Sequence, residues 1–209
     1  MFDWLPDHIA EVGATAMAQE LGWRFVMNPP AAEEAVRRCE EAVGLAFPPS
    51  YRAFLRRWDG ASLFRQETPL RGGAIDVSAE IGIQGTRDLP AFQDYLRTFW
   101  DANDPGGWGS LVVFCRIPGS GADYCALNPE RSTPDGEFAV VDCHQDMRPH
   151  CWRRAVIAPS FEAWLQRAFG AALRGESPYY WLNLPELRDL YRECHEEHQR
   201  ELAQRRRPG

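Results

Sequence analysis

Apolar residues recur at helical spacing near both ends of the chain, while its middle carries short β-branched and aromatic runs. Within the first 30 residues Ile9, Val12 and Ala16 share one face of an amphipathic helix, and Asn28-Pro29-Pro30 then breaks the chain. Residues 31–43 predict a helix: Ala32, Val36, Cys39 and Val43 share a face, Glu33, Glu34, Glu40 and Glu41 lie on others, and Gly44 suits a left-handed cap. A second helix starts at Pro48-Pro49, carries Tyr51, Phe54, Leu55 and Trp58 on one side, and closes at Gly60. Residues 61–88 are Gly-rich and weakly patterned, with at most short strands around Ala74–Val77 and Glu80–Ile83. A helix from Leu89 to Asp101 turns Phe92, Leu96 and Phe99 inward before the breaker Asn103-Asp104-Pro105-Gly106-Gly107.

Beyond Trp108 the period changes. Leu111–Cys115, Asp123–Leu127 and Phe138–Asp142 read as strands, parted by Pro118-Gly119-Ser120-Gly121 and by a segment from Asn128 to Gly136 that ends in Asp135-Gly136. An antiparallel meander is the natural arrangement. Ala155-Val156-Ile157 adds a short strand, and Ser160 is a good N-cap for a helix with Phe161, Trp164, Leu165 and Ala168 on one face. After Gly175 an aromatic connector, Ser177-Pro178-Tyr179-Tyr180-Trp181, leads to a last helix from Pro185 to Gln204 with Leu187, Leu190, Tyr191, Cys194, His198 and Leu202 as its stripe. Helices, then strands, then helices make an α+β fold: a central, mostly antiparallel sheet packed by helices, with extra N- and C-terminal helices.

Composition adds bounds. At 209 residues, 44% hydrophobic and 12% aromatic, the chain fits one core with extensions and excludes general disorder. No apolar run reaches the roughly 18 residues of a membrane span. The segment Met1–Asp7 lacks the basic and apolar regions of a signal peptide, so a cytoplasmic location without membrane association is expected. Six Cys are then expected as reduced thiols. All 23 basic residues are Arg, which excludes any mechanism that needs a lysine. Of the formal charge of −7, residues 1–150 hold 13 Arg against 22 acids, and residues 151–209 hold 10 against 8. A negative field over the first part disfavours nucleic acid and attracts a basic partner, although modest negative charge also serves solubility alone.

Candidate chemistry is sparse. Cys143-His144 and His150-Cys151, with Cys125, invite a zinc reading, yet adjacent residues on a strand point to opposite faces, so buried thiols and turn histidines are preferred. In Cys194-His195-Glu196-Glu197-His198 the histidines are three apart, where a zincin helix needs four, and His198 continues the apolar stripe. Asp123, Asp142 and Asp146 flank strands and could pair for acid–base work, but edge charges that discourage sheet pairing are the commoner reason for such residues. Gly119-Ser120-Gly121 is too short for a phosphate cradle. Arg153-Arg154 and Arg205-Arg206-Arg207 lack interleaved aromatics, which argues against nucleic acid. Trp58, Trp108 and Trp164 are expected in the core, whereas Trp100, Trp152, Tyr179, Tyr180 and Trp181 are freer to lie at a protein-binding surface.

Two ordered stretches resemble the SMI1/KNR4 (SUKH) family. The first runs from Glu40 through Val43-Gly44-Leu45-Ala46-Phe47-Pro48-Pro49-Ser50-Tyr51 and Phe54-Leu55 to Trp58-Asp59-Gly60. The second runs from Trp108 through Leu111–Phe114, Gly121–Leu127, Gly136 and Val140–His144 to Ser160-Phe161-Glu162-Ala163-Trp164-Leu165. Asp59 and Asn128 depart from the family's usual Asn and Asp, and the segment 61–107 is long. The resemblance implies residues 31–170 as the family's domain, with 1–30 and 171–209 as N- and C-terminal helical extensions. It also implies a non-enzymatic protein-binding module with no catalytic, cofactor or metal residues, whose partner-binding residues vary between members and are not assigned. An immunity protein that neutralises a cognate toxin, such as a basic nuclease or deaminase, is the expected role. A regulatory or scaffolding protein that docks or forms a homodimer through its C-terminal helix is the alternative.

Overall fold

The computed structural model describes residues 1–66, 80–101, 109–117, 123–144 and 147–205. Two short helices, α1 (Leu5–Gly13) and α2 (Ala16–Leu21), precede strand β1 (Trp23–Met27). Then come α3 (Glu33–Val43), α4 (Pro49–Arg57), β2 (Ala61–Gln66), β3 (Ile81–Ile83) and α5 (Leu89–Asp101). The meander follows as β4 (Val112–Ile117), β5 (Asp123–Ser132) and β6 (Phe138–Cys143). The chain closes with a single turn α6 (Pro149–Trp152), β7 (Val156–Ala158), α7 (Phe161–Leu173), a 3-10 turn (Tyr180–Asn183) and α8 (Pro185–Arg205). Among the described residues the seven strands form one antiparallel sheet in the order β1-β2-β3-β4-β5-β6-β7.

Strand alternation divides the interior into two cores. Val112, Phe114, Cys125, Leu127 and Val140 face a large core with α1, α4 and α7, while Val113, Tyr124, Ala126, Val141 and Cys143 face a smaller one with α5, α6 and α8. Both faces of the central strands β4, β5 and β6 are therefore covered. This explains why the central strands read as nearly unbroken apolar runs rather than as an apolar-polar alternation.

The helices end where their sequences direct. Ser160 Oγ accepts the Ala163 N–H at 3.1 Å to start α7, and Gly44 takes the left-handed conformation at φ 78° to end α3. Pro48, at the N-cap of α4, offers no side-chain cap. A distant residue supplies one instead: the buried Glu137, just before β6, accepts the Ser50 N–H at 2.8 Å and the Ser50 hydroxyl at 2.5 Å. A carboxylate at a helix N-terminus also meets the positive end of the helix dipole.

The Asp59-Gly60 pair at the end of the first family stretch is a junction between loops. Asp59 accepts from Thr86 N at 2.5 Å and from Thr86 Oγ1 at 2.9 Å, and its carbonyl accepts from Asn28 Nδ2 at 2.8 Å. Gly85 lies so close that a Cβ there would stand 2.4 Å from the Asp59 carbonyl oxygen. Gly85→Ala is expected to lose about 2 kcal/mol or more, because a backbone neighbour must shift. Gly13→Ala, with nothing within 4 Å of the new Cβ, is the control and should change little in the same urea unfolding experiment.

Several expectations need correcting. The first 30 residues are not helical throughout, since they also supply β1, one of the sheet's two edge strands. Strand β2 lies in the weakly patterned segment because its alternation is broken: Leu63 and Phe64 are both buried, Phe64 sits at φ 57°, and the β1–β2 register slips between Arg24 and Val26. Phe99 does not turn inward but is half exposed. Trp152 and Trp181 are fully buried rather than available at a surface. The strand around Ala74–Val77, the breaker 103–107, Trp108 and the loop holding Gly119-Ser120-Gly121 lie outside the described residues.

Candidate functional site

The strand carboxylates considered for acid–base work meet on one face of β5 and β6. Asp142 stands opposite Cys125, which puts Asp123 on the diagonal position. Asp142 is 1% exposed, and its Oδ2 accepts the hydroxyl of Tyr191 from α8. Burial pushes its carboxyl up to about 6, the Tyr191 hydrogen bond opposes that rise, and the Asp123 charge adds to it. Such a group has the acidity for proton transfer near neutrality. Enclosed beneath Tyr191, it offers no approach for a substrate, and its evident work is to anchor α8 against β6. Asp146 lies outside the described residues.

The cysteines and histidines divide differently from their order in the sequence. All six cysteines are free and buried. Cys125 faces the large core and Cys143 the small one, so the sheet itself separates them. Burial pushes both thiols well above their ordinary range, which removes thiolate nucleophiles from this region. His144 packs its ring 5.5 Å from Tyr191, and its carbonyl accepts the Trp152 indole N–H at 2.9 Å. His195 is exposed, and His198 keeps a buried Nδ1 that has no hydrogen-bond partner among the described residues.

Around α6 a mixed cluster forms that sequence order conceals. His150 Nε2 is 3.4 Å from Cys151 Sγ, and these two atoms and a Glu197 carboxylate oxygen from α8 all lie within 4.8 Å of one another. The Cys194 thiol, one turn earlier on α8, is near enough to that of Cys151 for each to influence the other's acidity. Residues 149–152 are helical, so His150 and Cys151 are neighbours about 100° apart rather than on opposite sides of a strand, and they converge.

The surface separates basic from acidic regions less sharply than the sequence. Arg154 pairs with Glu193 at 2.8 Å and Glu197 at 3.7 Å, and Arg153 with Glu130 at 3.6 Å, so the Arg153-Arg154 patch is locally neutralised. Arg206 and Arg207 lie outside the described residues. On α8 the stripe Leu187, Leu190, Tyr191 and Cys194 packs within the chain, which leaves mainly charged positions outward. Among the described residues the most exposed aromatics are instead on α5, where Tyr95 is 62% and Phe99 50% exposed, stacked at 6.4 Å with an interplanar angle of 20°. Helix α5 packs on α3, whose four Glu pair with Arg37, Arg38, Arg52 and Arg56, and Asp88 and Asp94 are exposed at and near the start of α5. Sequence periodicity missed this surface by placing Phe99 in the core. The signal available was that Tyr95 and Phe99 share a face one turn apart.

Among the described residues, no helix is long and apolar enough to cross a membrane. No curated protein matches the chain by sequence. Residues 30–167, from the first proline break to the middle of α7, match the SMI1 / KNR4 family (SUKH-1), and with the sheet and its ordered motifs in place the chain belongs to that family.

Proposed function

We propose that the chain is a non-enzymatic, cytoplasmic immunity protein that neutralises a basic protein toxin, such as a nuclease or deaminase, by covering it with the α5 face. The observation that carries the reading is the exposed, stacked Tyr95–Phe99 pair on α5, beside the exposed Asp88 and Asp94 of a chain with net negative charge. Aromatic anchors concentrate binding energy at interfaces, and excess negative charge speeds encounter with a basic partner. Family membership supports the binding role, because the family includes immunity proteins. The burial of the candidate nucleophiles and of Asp142 supports a role without catalysis. Six free cysteines accord with a reducing compartment.

Co-expression with a toxin encoded beside its gene tests the reading. Growth rescue and a stoichiometric complex are expected. A Tyr95→Ala, Phe99→Ala double variant should bind at least ~100-fold more weakly, since paired hot spots each contribute about 2 kcal/mol or more. Raised salt should slow association more than it speeds dissociation. Failure to rescue against any neighbouring toxin would overturn the role, whereas rescue indifferent to the double variant would overturn the surface.

A further inference from the structure

We propose that His150, Cys151, Cys194 and Glu197 form a structural zinc site that fastens α8 to α6, three of the four ligating atoms already lying within 4.8 Å of one another. Tetrahedral zinc, with Zn–S near 2.3 Å and Zn–N or Zn–O near 2.0–2.2 Å, sets neighbouring ligand atoms about 3.4–3.8 Å apart. The observed 3.4 Å from His150 Nε2 to Cys151 Sγ is such an edge. Cys194 and Glu197 are three apart on α8 and share a face, which makes the Cys194 thiol the candidate fourth ligand beside the His150, Cys151 and Glu197 cluster.

The ligand chemistry selects among metals. Two thiolates with an imidazole favour zinc over magnesium or calcium, which take all-oxygen shells. Binding releases both thiol protons to water. Two thiolates, one carboxylate and Zn²⁺ leave a net charge of −1, and Arg154, which already pairs with Glu193 and Glu197, stands beside the cluster to offset it. Four protein ligands leave no open position, so the ion is structural rather than catalytic. Its effect is to join the one-turn helix α6 to the long C-terminal helix α8.

The full-length chain, reduced, stripped of metal with a chelator and titrated with Co²⁺, tests this. The expected result is one equivalent bound, with a thiolate-to-cobalt charge-transfer band and the intense visible bands of a tetrahedral site, both abolished by added Zn²⁺. Cys151→Ser and Cys194→Ser should each weaken the charge-transfer band and lower affinity at least ~10-fold. His150→Ala and Glu197→Gln, which change exposed or half-exposed side chains and leave the core intact, should also lower affinity. Cys143→Ser, outside the cluster, should leave the spectrum unchanged. A spectrum without tetrahedral bands, binding insensitive to all four ligand variants, or isolation of a Cys151–Cys194 disulfide that excludes metal would overturn the proposal.

Discussion

Phe161→Ala is expected to destabilise the protein by about 3–5 kcal/mol, the range for removing a fully buried aromatic ring. The ring is inaccessible to solvent and lies 5.1–6.0 Å, centroid to centroid, from Phe2, Tyr51, Phe54, Phe114 and Trp164. Those partners come from the N-terminal segment, α4, β4 and α7 itself, so no single element can move in to fill the space. Edge-to-face contacts with Phe2, Phe54 and Phe114 add to the area term. Urea unfolding followed by tryptophan fluorescence measures the loss. A loss under about 1 kcal/mol would mean that the cluster collapses freely and does not bind the N-terminal segment to the domain.

Asp142→Asn is expected to change how stability depends on pH, because burial pushes the native carboxyl up to about 6 from the ordinary 3.8 of an unfolded one. In the native state the group holds its proton more tightly than in the unfolded chain. Between those two values the native state therefore binds more protons, and stability falls as the pH rises through the window. The contribution is fully present below about 3.8 and fully lost above about 6. A difference of about 2 units corresponds to roughly 3 kcal/mol. Asparagine keeps an acceptor for the Tyr191 hydroxyl and carries no charge, so the variant's stability relative to the native chain should rise by that order between pH 4 and pH 7. Parallel unfolding curves at those two pH values give the difference directly, and a constant offset between them would show that burial does not dominate at Asp142.

Most elements were legible because local chemistry specified them. The helix Leu89–Asp101 follows from its period and its flanking breakers, and α7 from Ser160 and the Phe161, Trp164, Leu165, Ala168 face. The meander of β4, β5 and β6 follows from apolar runs and turn residues. Strands β1 and β2 escaped because a register slip and a positive φ at Phe64 disrupt the alternation that marks a strand. The candidate sites were less legible. Residues such as Glu137, which caps a helix formed 87 positions earlier, have no local pattern at all.

The sequence by itself determined the α+β class, the order of the meander and the motifs of the family, since propensity, period and turn chemistry act over a few residues. Tertiary structure alone decided which polar groups meet. Asp142 with Tyr191, Glu137 with Ser50, and Cys151 with Cys194 and Glu197 join residues far apart in the chain. It also decided which aromatics face water, because a helix's period marks an apolar face, while the neighbours available to cover it are set by packing. Trp152 and Trp181 are fully buried, whereas Tyr95 and Phe99 stay half or more exposed.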